Sequence, residues 1–213
     1  LVGRNLKIKS GTSGKFIKLP CELNPALFRL AGLIISDGHL TRNYIELSNS
    51  NLEILKEFIN LLKKLFGLKG KIEYPKDRVS KVRMSSPIVS EILYKIFEIP
   101  YGNKARRVVV PKIIFSQNEE CVLAFISSII DCEGYIGKSE IEIGMTSERF
   151  LKDMGRLFLR LGAITTLTPK KHSYRLLING YNNFSKLYKI PIKDKIKLLG
   201  FNRLLNKKIQ KTF

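Results

Sequence analysis

Two stretches of this chain, LAGLIISDG (Leu30 to Gly38) and ISSIIDCEG (Ile126 to Gly134), lie 96 positions apart and share one arrangement, an apolar helical run that ends in an acid and a glycine. The elements that follow keep the same spacing. YIELSNS, from Tyr44, alternates apolar and polar residues as a half-buried strand does, and EIEIGMTS, from Glu140, answers it 96 positions on. NLEILKEFINLLKKLFGLKG has helical spacing through Leu52, Leu55, Phe58, Ile59 and Leu62, and ERFLKDMGRLFLRLG is its counterpart. Matched elements in one order point to an internal duplication. Each copy buries one sheet face on its helices and leaves the other face open.

The expected fold is therefore α/β (α+β), with two pseudo-symmetric repeats, the first reading α-β-α-β-β-α. Asn24 and Pro25 mark the first helix start, as N-cap and first helical residue, and Asn118 can cap its counterpart. KIEY and SKVRMSS, from Lys71 and Ser80, read as a further strand pair, and KKHSYRLLING supplies the later hairpin of the second copy. The division expected is a basic arm at 1–23, a first repeat at 24–110, a linker at 111–117 and a second repeat at 118–213. The arm's first twenty residues carry five basic and no acidic side chains. A mobile arm is the plain expectation and contact with phosphates the alternative; the start at Leu1 suggests a fragment or processed end.

Net charge narrows the partner. The 38 Lys and Arg against 18 Asp and Glu leave +20, a self-repelling balance that a polyanion relieves. Nucleic acid is favoured over a membrane, because the basic residues are not gathered beside one large apolar face and no apolar run reaches the ~20 residues that span a bilayer. Three cysteines without a CxxC pair and only two histidines argue against a zinc module and against a disulfide framework. No secretory apolar core is seen near the start, which favours an intracellular setting in a prokaryotic cytoplasm or an organelle.

Leu30, Ala31, Gly32, Leu33, Ile34, Asp37 and Gly38 match the LAGLIDADG motif, and Ile130, Asp131, Glu133 and Gly134 keep a weaker second copy. From Asn24 to Leu205 the chain resembles the LAGLIDADG homing endonucleases, in their single-chain, two-motif form. The resemblance implies αββαββα-like repeats, motif helices packed at the central interface on a pseudo-twofold axis with acids over the scissile phosphates, and antiparallel sheets forming a DNA-binding saddle that grips a duplex in the major groove. It implies a double-strand break with 3′ extensions at a long site in double-stranded DNA, encoded by an intron or a related element. Asp37 and Glu133 become metal-ligating catalytic residues, with the preceding Ser36 and Cys132 in the same metal site. Two or three Mg²⁺ ions are implied, with Mn²⁺ as a substitute and Ca²⁺ as an ion that binds without efficient cleavage. Carboxylates are hard oxygen ligands suited to such ions, and a cation offsets the cost of an acid at a helix C-terminus.

Lys104 and Lys195, after Ile99-Pro100 and Ile190-Pro191, are the candidates for organising water near the acids, and Asn49 joins the catalytic set. Its counterpart Met145 is apolar, so unequal cutting of the two strands is expected. Candidate DNA contacts are Tyr44, Glu46, Ser48, Lys71, Glu73, Arg78, Lys81 and Arg83 in the first copy. Lys138, Glu140, Glu142, Lys170, His172 and Arg175 are those of the second. Charged residues on an open sheet face are also ordinary surface chemistry. Asp131, two positions before Glu133, points elsewhere on a helix and is expected to be structural. Ser127 and Ser128 stand where Ala and Gly are usual in the motif. A monomer without an obligate protein partner is expected. An RNA-binding splicing maturase acting on intron RNA, and a noncatalytic DNA-binding regulator, are the competing functions.

Overall fold

The computed structural model describes residues 6–10 and 15–206. Two strands, β1 (Leu6–Ser10) and β2 (Lys15–Leu19), pair antiparallel within the stretch expected from sequence to be a basic arm. Ile17 is buried and β2 packs on a later helix, so apolar contact holds the strand pair to the body.

In the first repeat α1 (Pro25–Ser36) leads into β3 (Gly38–Leu40) and β4 (Tyr44–Ser48), followed by α2 (Leu52–Phe66), β5 (Lys81–Ser85) and α3 (Pro87–Lys95). Asn24 caps α1 through Leu27 N–H at 3.1 Å, and Pro25 occupies the first turn, where its missing N–H costs nothing. A 3-10 turn at Lys112–Ser116 forms the linker. The second repeat comprises α4 (Glu119–Glu133), β6 (Gly134–Ile136), β7 (Glu140–Met145), α5 (Glu148–Arg160), β8 (Thr166–Pro169) and β9 (Tyr174–Asn179). Two final helices, α6 (Tyr181–Phe184) and α7 (Lys195–Asn206), follow.

The sheets are antiparallel, ordered β3-β4-β5 and β6-β7-β9-β8. They differ by one strand. The expected KIEY strand is reduced to a single bridge, Glu73 to Lys81, whereas its counterpart β8 pairs four residues with β9. Pro75 has no N–H to give a ladder and lies directly after Tyr74, which ends the pairing. Along β4 and β7, Ile45, Leu47, Ile141 and Ile143 are fully buried while Glu46, Glu140 and Glu142 take the opposite face.

The most extensive contact between elements is α1 on α4. A methyl group on Gly32 would overlap the Ser128 hydroxyl, so the two backbones approach as closely as the missing side chain permits. The hydroxyls of Ser127 and Ser128 donate to Ala124 O (2.9 Å) and Phe125 O (2.5 Å) on their own helix. Serine therefore fits where a smaller residue is usual, because each hydroxyl is satisfied without widening the interface.

Candidate active site and nucleic-acid interface

Asp37 and Glu133 terminate the two paired helices. The Asp37 backbone N–H closes α1 on Leu33 O, and the Gly134 N–H closes α4 on Ile130 O. Neither glycine after the acids can carry a side chain: a Cβ on Gly38 would strike Ile34 and one on Gly134 would strike Ile130 O. Each chain segment therefore turns at once from helix into strand, leaving the acid at the point where the apolar interface opens.

Asn49, at the end of β4, donates from Nδ2 to Asp37 Oδ2 at 2.6 Å. Lys104 Nζ donates to Ile35 O (2.5 Å) and Ser36 O (2.7 Å), at the C-terminal end of α1 where the helix dipole is negative. The equivalent contacts on α4 come from Lys197, not Lys195: Lys197 Nζ reaches Ile130 O (3.0 Å) and Asp131 O (2.6 Å), while Lys195 is exposed. Counting from Ile190-Pro191 picks Lys195, but Asp194 starts α7 through the Lys197 N–H at 2.9 Å and turns Lys197 inward. An Asx cap directly before a lysine pair is the signal in the sequence that finds it.

Burial raises the Glu133 carboxyl above its usual range, the negative charge of Asp37 adds to this, and Lys104 and Lys197 oppose it. Burial likewise lowers the Lys104 ammonium, against the pull of Glu133 and Asp37. Burial drives the Cys132 thiol well up, with Asp37 the next cause. Ser36 is buried with its hydroxyl unpartnered. A cleft of about 410 Å³ opens here, lined among others by Ser36, Lys104, Glu133, Met145 and Thr146.

These two mutually repelling carboxylates fit a hard divalent cation. No group of three or more His, Cys, Asp or Glu that could hold a metal occurs among the described residues. A pair of carboxylates is a donor set that a hard cation such as Mg²⁺ can use, since that ion keeps several waters and takes one or two carboxylates together with substrate phosphates. Asp37 and Glu133 would hold it. Ser36 and Cys132 directly precede the two acids; the Ser36 carbonyl accepts from Lys104, and a thiol raised by burial is a poor ligand for a hard ion, so any oxygen donor from Cys132 would be its backbone carbonyl.

Behind the acids lies a network that sequence reading missed except for Asp131. Arg29 of α1 pairs with Asp131 of α4 at 2.6 Å, makes two bonds to Glu57 of α2 (3.1 and 2.7 Å) and donates to Ser127 Oγ at 3.0 Å. Burial alone would lower the Arg29 pKa, but its bonds to Glu57 and the charge of Asp131 hold it raised. Asp131, its side chain wholly buried, also accepts from the backbone N–H groups of Lys193 (3.0 and 3.1 Å) and Asp194 (2.9 Å). Asp194 in turn accepts from Asn51 Nδ2 at 2.8 Å, joining the cap of α7 to the cap of α2. A lone base in one apolar helix, and an acid within the buried run of its partner, are the available clue.

The candidate contact residues fall mainly on the open sheet faces. Tyr44, Glu46 and Ser48 lie on β4, Lys81 and Arg83 on β5, Glu140 and Glu142 on β7, and Arg175 on β9. Lys170 and His172 occupy the β8–β9 turn, Arg78 the loop before β5 and Lys138 the loop before β7, all exposed; Lys71 is exposed beyond α2 and Glu73 forms the isolated bridge. Glu46 accepts from Arg83 Nε (2.7 Å) and Lys81 (3.2 Å), and Glu142 from Lys170 (2.6 Å) and Arg175 (3.5 Å).

The model of the LAGLIDADG-like domain matches residues 24–99 and again 120–190. This chain belongs to that family. The structure of the homing endonuclease I-DmoI with DNA and Ca is similar, with a TM-score of 0.64 and 19% identity, over 82% of this chain and 96% of that one. Full-length DUF199/WhiA from Thermotoga maritima has a TM-score of 0.58 and 14% identity, over 89% of this chain and 61% of that one. Both likenesses are of fold.

Curated relatives include the glutamine–fructose-6-phosphate aminotransferase of Methanocaldococcus jannaschii, 30% identical over 90% of this chain. The probable translation initiation factor IF-2 of Thermococcus kodakarensis is 26% identical over 90% of this chain. The replication factor C small subunit of M. jannaschii is 30% identical over 84%. The LAGLIDADG-like chain spans only 18%, 17% and 10% of these relatives' lengths. No helix among the described residues is long and apolar enough to cross a membrane.

Proposed function

We propose that this LAGLIDADG-like chain is a divalent-cation-dependent endonuclease that cuts both strands of a long, specific DNA duplex and leaves 3′ extensions. The observation that carries this reading is the pair of acids at the ends of two closely packed helices, each helix end approached by a lysine. Asp37 and Glu133 would hold Mg²⁺, or Mn²⁺ in its place, which lowers the pKa of bound water and stabilises charge on a phosphoryl group in transit. Asn49 orients the Asp37 carboxylate through its 2.6 Å bond. Lys104 and Lys197 neutralise the helix-end carbonyls and keep positive charge beside the acids, which favours an approaching phosphate. The open sheet faces carry the basic side chains that would position a duplex, in keeping with the net charge of +20.

The relatives favour one origin. An enzyme, a translation factor and a replication factor with unrelated names each contain a segment similar to this chain that makes up a minor part of their length. That pattern fits an insertion read in frame with longer host polypeptides, as an intein is, better than a free-standing intron product.

The test is cleavage of a library of long duplexes by wild type, D37N and E133Q, with Mg²⁺ and with chelator. Metal-dependent cutting by wild type alone, with binding kept by all three, is the expected result. A wild type that cuts no duplex but binds RNA tightly would replace this reading with the maturase one.

A further inference from the structure

Glu46 and Glu142 occupy the same place in the two copies, 96 positions apart, on the open face of an interior strand of each sheet. On a surface meant for phosphates an acid weakens binding. Stability alone explains the pair poorly, since the carboxylates are partly buried but their basic partners are more exposed than they are, and such ion pairs contribute only about 0–1 kcal/mol. Both acids instead grip an arginine from the neighbouring strand. Arg83 lies directly across from Glu46 in register, held through Nε at 2.7 Å, and its guanidinium carbon sits 4.5 Å from the centre of the Tyr44 ring. Bonding to Glu46 through Nε uses neither Nη atom, and the Nη1–Nη2 fork is the edge that can meet guanine O6 and N7 together. Arg175 is held differently: Nε donates to Thr168 Oγ1 at 2.9 Å and Nη1 to Glu142 at a long 3.5 Å, which leaves Nη2 and the second Nη1 hydrogen for a base, while Lys170 donates to the other carboxylate oxygen at 2.6 Å. A guanidinium already fixed on two sides loses little side-chain freedom on binding a base.

We propose that Arg83 braced by Glu46, and Arg175 braced by Glu142, are two base readers that each select a G·C pair, one in each half of the duplex target. This rests on the reading that the open sheet faces take duplex DNA, but not on cleavage. The two readers are not mirror copies. Arg83 faces Glu46 squarely, whereas Arg175 pairs with Gly144 and reaches Glu142 diagonally. The two G·C positions are therefore expected at unequal distances from the target's centre.

The test is selection of bound duplexes from a randomised pool by protein carrying D37N and E133Q, so that bound DNA is not cut. One guanine-selecting position is expected in each half-site, with preference of roughly ten- to a hundredfold. Arg83→Ala should drop that preference to within about twofold in one half-site only, and Arg175→Ala in the other, so each variant serves as the folding control of its partner. Glu46→Gln should weaken the first preference while leaving Arg83 in place.

Loss of affinity by one common factor on all sequences would mark both arginines as phosphate contacts and overturn the proposal. Failure of any duplex to be enriched would overturn it together with the DNA-binding reading. A selected duplex that wild type never cuts would sink the endonuclease reading alone.

Discussion

At the scale of single residues, Gly32 bears the most weight. Its missing side chain lets α1 meet α4 at Ser128, so Gly32→Ala should cost about 1–3 kcal/mol by overpacking, read as a lower denaturation midpoint. Ser128→Gly in the same chain should restore part of that loss. Glu46 offers a pH-dependent test. Burial would raise its carboxyl, but hydrogen bonds from Arg83 and Lys81 hold it below the usual range. A depressed acid contributes stability above its unfolded pKa of about 4.3 and loses it as pH falls through the lower folded value. Glu46→Gln should therefore melt slightly below wild type at pH 7, by under about 1 kcal/mol, and the gap should close on acidification.

At the scale of elements, the Arg29–Asp131 pair joins α1 to α4, while the Asp131 carboxylate also gathers the backbone that leads into α7. Asp131→Asn should destabilise by about 1–3 kcal/mol, because Arg29 keeps Glu57 as a counter-ion but loses the closer one, and the Lys193 and Asp194 N–H groups lose a charged acceptor. Asp194→Ala removes the cap of α7 and the bond to Asn51, at a cost of about 1 kcal/mol. Faster amide exchange across Lys195–Asn206 than in the rest of the second repeat is the expected signature. The motif helices, β4, β7 and the faces of their side chains were legible in the sequence, because apolar period alone dictates them. The pairing of β1 with β2 was not, since five lysines and arginines in twenty residues obscure its alternation. Nor was the choice of Lys197 over Lys195, which depends on where α7 begins. The polar network escaped for a different reason: Arg29, Glu57, Asp131 and Asp194 are scattered along the chain and only tertiary packing unites them.

At the scale of the whole molecule, excess positive charge spread over two sheets predicts binding that weakens steeply with salt. If six to ten phosphates are contacted, affinity for a selected duplex should fall by roughly 10³–10⁵ between 50 and 200 mM salt, measured by anisotropy of labelled DNA. A single chain carries both copies, so sedimentation should give one protein per duplex. The acids, by contrast, are mounted on a rigid pair of rods whose separation is fixed where a glycine leaves room for a serine. On the proposed reading, that gap between two backbones sets the stagger between the cuts, and hence the length of the single-stranded ends. A ruler for DNA would then be built wholly from protein packing, indifferent to the letters that the sheets select.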